Sequence, residues 1–141
     1  MTGERGPFTR QANSEEFAAR YARQRSAAAA QLETRVLGHQ TGVNGYTTVE
    51  EADALAHVLR LGPHDRIMDL GAGRGWPGVR IAATGTTLIS TDLPVAGLRF
   101  ARDRAQRTAP SITHYAVASD GRTLPFRSEC LDVVVHADVF C

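Results

Sequence analysis

The chain has 141 residues, of which 43% are hydrophobic and 22% are charged, and its formal net charge is +1. That length predicts one domain with a buried core, and the balanced charge gives no electrostatic reason to expect binding to nucleic acid or to an anionic membrane. The N-terminus carries no apolar signal segment and no apolar run approaches eighteen residues, so we expect a cytoplasmic protein without a membrane span.

The N-terminal part of the chain is predicted to be mainly helical. Residues 1–12 are expected to form a flexible tail, and residues 13–61 a helical N-terminal segment. In "NSEEFAARYARQRSAAAAQLETRVLG" apolar residues recur at helical spacing, which is typical of an amphipathic helix. We expect Phe17 and Tyr21 to belong to its buried stripe rather than to a substrate lid.

The boundaries of these helices follow from capping residues. Asn13 or Ser14 is the predicted N-cap of the first helix, with a break near Ser26 and an end at Gly38.

A second helix is predicted in "TTVEEADALAHVLRL". Thr47 and Glu50 have the spacing of a capping box at its start, and Gly62-Pro63 suits its end.

From residue 62 onward the pattern changes to short apolar runs that alternate with helical segments. This alternation predicts an α/β fold with a parallel sheet and right-handed crossovers. The predicted strands are "RIMDL", "TLISTDL", "ITHYAVAS" and "LDVVVHADV", and the predicted helices between them are "WPGVRIAAT" and "PVAGLRFARDRAQR".

A glycine-rich turn follows the first predicted strand in "RIMDLGAGRGWPGVRIA". Ligands of open parallel sheets bind at the carboxyl ends of the strands, and glycines let them approach the main chain closely. A dinucleotide fingerprint of the GxGxxG type needs a third glycine where Trp76 stands. Burying the Asp69 carboxylate at the end of an apolar strand costs free energy unless another group interacts with it. A ligand with a positively charged amine would provide that interaction.

Four motifs in order resemble the class I S-adenosylmethionine-dependent methyltransferases. "IMDLGAGRG" resembles their first motif, "STDLP" their acidic second-strand end, and "VASDGRTLPF" their third motif. "LDVVVHADVFC" resembles their fourth strand, which usually begins with Phe-Asp rather than Leu-Asp. The resemblance covers residues 66–141 closely, and residues 1–60 only as a helical lead-in.

The resemblance implies a Rossmann-like core over residues 62–141, with strand order 3-2-1-4 and S-adenosylmethionine as cofactor. Asp69 and the main chain of the glycine turn would face the methionine end. Asp92 would accept both ribose hydroxyls, Leu93 would contact the adenine, Asp120 would accept from the exocyclic amine, and the Gly121 N–H would face the ring. The implied cofactor-binding residues are Asp69, Gly71, Ala72, Gly73, Gly75, Asp92, Leu93, Asp120 and Gly121.

The implied reaction is methyl transfer to an unidentified small-molecule acceptor. His136 and Asp138 lie at the pocket end of the fourth strand. They could act as a base for the acceptor or have a purely structural role, and the sequence leaves both alternatives open.

Cys130 and Cys141 lack metal-ligand spacing, so no metal site is expected. A single disulfide between them is an alternative to the reduced thiols that we expect in a cytoplasmic protein.

Residues 66–141 leave room for four strands, whereas the seven strands of the family would need roughly 150–175 residues. We therefore expect an incomplete core, truncated after the fourth strand. Its exposed edge would invite self-association. The alternatives to a methyltransferase are a catalytically silent remnant that binds the cofactor or a partner protein and, disfavoured by Trp76 and Asp69, a nicotinamide-dependent oxidoreductase.

Overall fold

Parallel strands form the centre of this chain. The computed structural model describes residues 10–23, 26–38, 45–82, 85–137 and 139, with the side chains of residues 10–14 and 37 outside that description. The elements in chain order are α1 (Arg10–Ala22), α2 (Ala27–Leu37), α3 (Val49–Leu59), β1 (Arg66–Leu70), α4 (Gly78–Ile81), β2 (Thr87–Asp92), α5 (Val95–Thr108), β3 (Thr113–Ala118) and β4 (Val133–His136).

The described strands form one sheet of order β3-β2-β1-β4, and every pairing in it is parallel. Met68 in β1 marks the register, because it is paired with Ile89 of β2 on one side and with Val134 of β4 on the other. This confirms the predicted α/β class, the four strands and their order.

The described helices pack on the sheet directly or on one another. α4 and α5 contact the sheet, α3 packs on α4, and α1 packs on α5. The core between them consists of apolar side chains from α3, β1, α4, the C-cap of α4, β2 and α5, namely Ala52, Ile67, Val79, Ile81, Ala82, Leu88 and Ala105. Removing such side chains from water is the main stabilising contribution to a fold of this kind.

The first helix differs from its predicted form. α1 already begins at Arg10, so the expected caps Asn13 and Ser14 lie inside the helix, and only residues 1–9 of the expected tail lie outside the described residues. Phe17 is 45% exposed, so the apolar stripe is not fully buried as expected. α1 packs on α5, and part of its apolar stripe remains in solvent.

The predicted break at Ser26 is confirmed. The Ser26 hydroxyl accepts a hydrogen bond from the Ala29 N–H at 3.1 Å, which caps the start of α2. Gly38 ends α2 in a left-handed conformation, with φ of +78°.

The capping box of α3 lies one residue later than predicted. Thr48 and Glu51 exchange hydrogen bonds of 3.1 and 2.8 Å, instead of Thr47 and Glu50. The sequence contains Thr-Thr and Glu-Glu doublets with the same spacing, so spacing alone does not choose between them. α3 ends at Leu59, before the predicted Gly62.

The crossover helix α4 is shorter than predicted and begins at Gly78 rather than at Trp76. The Trp76 indole N–H donates to the Thr47 carbonyl at 2.8 Å, and its ring packs against the core. Trp76 therefore anchors the N-terminal segment to the sheet domain. Within the described ranges, no helix has both the length and the apolar character that crossing a bilayer requires.

Candidate functional site

A cavity of about 220 Å³ lies where the carboxyl ends of β1, β2 and β3 meet. Five of the predicted cofactor-binding residues line it, and each follows or ends a strand. The lining comprises Leu70, Gly71, Thr91, Asp92, Leu93, Ser119, Asp120, Gly121, Arg122 and Val139. The sheet topology thus brings together acids that are far apart in sequence, as expected for parallel strands.

The glycine turn connects this cavity to the helical side of the sheet. The Ala72 N–H donates to the Thr91 carbonyl at 2.9 Å, and the Gly75 N–H donates to the Ala72 carbonyl at 2.7 Å. A Cβ on Gly75 would lie 2.9 Å from the Ala101 Cα, and Gly75 has φ of +81°. This glycine therefore serves the close approach of the turn to α5.

Asp92 is the carboxylate that the turn holds most firmly. Its Oδ2 accepts from the Gly73 N–H and its Oδ1 from the Leu93 N–H, both at 2.7 Å. Burial raises the pKa of Asp92 above its usual value, although these two N–H groups and the Tyr21 hydroxyl lower it. Asp92 is only partly buried and lines the cavity. It is thus an oriented acceptor that a ligand can reach.

Asp69 has a different environment behind the turn. Its side chain is 1% exposed, and its Oδ2 has no hydrogen-bond partner among the described residues. Burial raises the pKa of Asp69 to about 7, with a further contribution from the charge of Asp92, against the lowering effect of the Gly78 main-chain N–H. The Asp69 carboxyl lies directly against Gly78 at the start of α4.

Asp120 sits in a tight turn after β3. It accepts from the Arg122 main-chain N–H at 3.0 Å, and the Arg122 guanidinium donates to both carboxylate oxygens at 3.1 and 2.9 Å. The side chain of Asp120 is largely buried, whereas that of Arg122 is mostly exposed. This arrangement fixes the acid at the cavity wall.

Tyr21 and Arg122 belong to the site but were absent from the predicted set. Arg122 follows Asp120 by two residues in "SDGR", a spacing typical of an Asx turn that would have pointed to it. Tyr21 reaches Asp92 from α1, and no local pattern in the sequence signals that contact.

Of the two predicted catalytic residues, the described part of the chain includes only His136, which does not line the cavity. His136 ends β4 and is exposed, and Asp138 lies outside the described residues. Among the described residues, no group of three or more His, Cys, Asp or Glu side chains is arranged to hold a metal ion.

A family model described as a methyltransferase domain matches residues 68–141, just over half of the chain. The chain belongs to this methyltransferase family. Together with the parallel sheet of order β3-β2-β1-β4, the match confirms the predicted resemblance to the class I S-adenosylmethionine-dependent methyltransferases. It also decides against the nicotinamide-dependent oxidoreductase.

Relatives of this methyltransferase chain are longer than the chain itself. Demethylmenaquinone methyltransferase from Mycobacterium sp. (strain KMS) is 38% identical over 77 residues, which make up 55% of this chain and 30% of that protein. The chain therefore spans about a third of the length of such curated relatives.

Two solved structures share the fold at low sequence identity. Magnesium protoporphyrin IX methyltransferase from Synechocystis PCC 6803, solved with bound S-adenosylmethionine, has a TM-score of 0.59 and 19% identity, over 89% of this chain and 56% of that chain. A methyltransferase from Thiobacillus denitrificans in complex with S-adenosyl-L-homocysteine has a TM-score of 0.52 and 20% identity, over 81% and 44% of the two chains.

Proposed function

We propose that this chain binds S-adenosylmethionine at the carboxyl ends of β1, β2 and β3 and presents its methyl group to a small-molecule acceptor. The observation that carries the proposal is the fixed carboxylate of Asp92, which two main-chain N–H groups orient at the wall of a cavity shared with Gly71 and Asp120. A carboxylate held in this way suits a vicinal diol, because each of its two oxygens can accept from one hydroxyl.

The residues around the cavity suit the nucleoside part of the cofactor. A volume of about 220 Å³ is below the roughly 300–1,000 Å³ of pockets for whole drug-sized ligands, so it fits a part of the cofactor. Asp92 would bind the ribose, Leu93 would cover the adenine, and Asp120 with the Gly121 N–H would bind the polar edge of the base.

The methionine end would lie toward the glycine turn. We propose that the main chain of Gly71, Ala72 and Gly73 faces this part of the cofactor. Asp69 would act on it from behind the turn through its charge, because a nearby cation favours the ionised form of a buried carboxyl. Gly75 supports the turn against α5.

Methyl transfer requires little of the protein beyond binding the cofactor and the acceptor and aligning them. When bound, the cofactor supplies a methyl group that its positively charged sulfur already activates. The chain would hold the nucleoside so that this group meets the acceptor in line, and such alignment is worth about 7–11 kcal/mol of a reaction barrier.

A base is needed only where the acceptor must lose a proton. We propose His136 and Asp138 for that role, since β4 ends next to β1 at the same edge of the sheet. The name demethylmenaquinone methyltransferase supports a small-molecule acceptor for this chain too.

We further propose that the protein is cytoplasmic. We also propose that the chain divides into a helical segment over residues 13–61 and a cofactor-binding core over residues 62–141.

Calorimetric titration with S-adenosylhomocysteine tests the binding site. The wild type is expected to bind, and Asp92→Ala to lose at least about 100-fold in affinity, because two hydrogen bonds to a charged group are removed. Asp103→Asn is the matched control, since this half-exposed acid of α5 lies outside the cavity lining, so its substitution should leave affinity unchanged.

Three results would contradict the proposal. They are the absence of heat with the wild type, equal affinity of Asp92→Ala and wild type, and displacement of S-adenosylhomocysteine by NADH.

The exposed edge of β4 supports a second proposal, which is self-association. β4 lies at one edge of the described sheet, and Val134 within it is 50% exposed. An apolar edge strand offers unpaired main-chain groups to another chain, and a catalytically silent interaction module would use the same edge.

Gel filtration tests this second proposal. The wild type is expected to elute as a dimer and Val134→Lys as a monomer, because a charge on an edge strand opposes pairing. Leu32→Lys, on the exposed face of α2, is the control that should stay dimeric. A monomeric wild type, or a dimeric Val134→Lys, would refute pairing through β4.

A further inference from the structure

The Tyr21 side chain occupies space that two glycines open beside the cavity. A Cβ on Gly73 would lie 3.0 Å from the Tyr21 hydroxyl oxygen, and a Cβ on Gly97 would lie 3.1 Å from its ring. Gly73 belongs to the glycine turn and Gly97 to the first turn of α5. Tyr21 is therefore inserted between these two elements, although it comes from α1, outside the part of the chain that the family model matches.

The Tyr21 hydroxyl hydrogen-bonds to the Asp92 carboxylate. Burial and the nearby charge of Asp92 raise the pKa of Tyr21 to about 12, so the hydroxyl keeps its proton at neutral pH. Tyr21 is thus a neutral donor to the acid that the proposed function assigns to the ribose.

The acceptor capacity of Asp92 limits how many donors it can hold at once. A carboxylate offers about four acceptor positions, two on each oxygen. The Gly73 N–H takes one position on Oδ2 and the Leu93 N–H one on Oδ1. One position on each oxygen remains, which is what a vicinal diol requires, and Tyr21 takes one of these two.

Of the three donors, only Tyr21 can leave at low cost. The Gly73 N–H is part of a turn that the Ala72 N–H holds to the Thr91 carbonyl, and the Leu93 N–H directly follows β2. Moving either N–H group would disrupt the main chain at the carboxyl ends of β1 and β2. Tyr21 needs only a rotation of its side chain, since it is a helix side chain that is only partly buried.

We propose that Tyr21 stands in for one ribose hydroxyl at Asp92 and that its hydroxyl leaves Asp92 when the diol of the nucleoside binds. The proposal rests on the function proposed above. It makes the Tyr21 side chain a reversible cover of the nucleoside site, held by a hydrogen bond that the ligand replaces.

The test compares Tyr21→Phe with the wild type by calorimetric titration, because phenylalanine keeps the ring packing and removes only the donor. Tyr21→Phe is expected to bind S-adenosylhomocysteine about two- to tenfold more tightly, as the ligand no longer replaces a protein hydrogen bond. The 2′-deoxy and 3′-deoxy analogues need one acceptor position fewer, so their affinity should not differ between the two proteins.

Tyr115→Phe is the matched control, since Tyr115 is exposed on β3 and outside the cavity lining. It should bind all three ligands like the wild type, and thermal unfolding should show that both variants are folded.

The outcomes separate the two proposals. If the wild type binds S-adenosylhomocysteine and Tyr21→Phe binds it equally or more weakly, the role of Tyr21 is wrong and the binding function stands. An equal gain with the deoxy analogues would also overturn it, because the gain would then not depend on the diol. If neither protein binds, both proposals fall.

Discussion

The two sides of the glycine turn carry acids that look alike in sequence but meet different environments. Asp69 and Asp92 both stand near the ends of apolar strands. Asp69 lies behind the turn, buried against Gly78, whereas Asp92 lies in front of it, held by two main-chain N–H groups at the cavity wall. The side of the turn on which an acid lies therefore decides whether a ligand can touch it.

The contact behind the turn offers the largest expected effect on stability. A Cβ on Gly78 would collide with the Asp69 carboxyl group and would lie 2.7 Å from the Asp69 Cβ, which is bonded directly to the main chain and cannot rotate away. We expect Gly78→Ala to lower the free energy of unfolding by about 2–3 kcal/mol, as measured by urea denaturation, because overpacking at a buried site forces the main chain apart.

Gly62→Ala is the control for this substitution. A Cβ there would lie 3.8 Å from the Asp65 Oδ2, which is an ordinary contact, so the change should stay below about 1 kcal/mol. Equal effects of the two substitutions would show that Asp69 and Gly78 are not in tight contact.

A smaller effect is expected from the charge of Asp69. Its pKa rises from 3.8 in the unfolded chain to about 7 in the folded one, so the folded state binds the proton more tightly. Its contribution is therefore most favourable below pH 4 and is lost as the pH rises from about 4 to 7. Asp69→Asn should remove this loss, so the melting temperature of the variant at pH 8 should exceed that of the wild type by about 5 °C.

Asp132→Asn provides the comparison at the opposite end of the sheet. Asp132 is exposed and paired with Arg66, and the Arg66 main-chain N–H, followed by the Arg66 side chain, holds the pKa of Asp132 below its usual value. The contribution of Asp132 to stability is lost as the pH falls, which is opposite to the pH dependence expected for Asp69.

A melting temperature of Asp69→Asn that equals that of the wild type at every pH would contradict the account of Asp69.

The four strands could be predicted from the sequence because each is a local apolar run bounded by turn residues. The order of the strands came from the family resemblance, and so did the residues that line the cavity. The start of α3 was wrong by one residue because paired threonines and glutamates repeat the same spacing. The start of α1 was wrong because Asn13 and Ser14, whose side chains are typical of helix caps, lie inside the helix.

Contacts between elements that are far apart in the sequence could not be predicted. Tyr21 meets Asp92 only because α1 packs on α5, and Asp69 lies behind the turn only because Gly78 leaves room for its carboxyl. Both depend on tertiary packing, which no local spacing encodes.

A crystal structure of the chain with S-adenosylhomocysteine bound is the most direct test of the central claim, that the nucleoside site lies in front of the glycine turn. The account predicts both ribose hydroxyls within about 2.5–3.0 Å of the Asp92 carboxylate, with the base beside Leu93 and Asp120. A nucleoside bound elsewhere, or an Asp92 side chain turned toward bulk solvent, would contradict it.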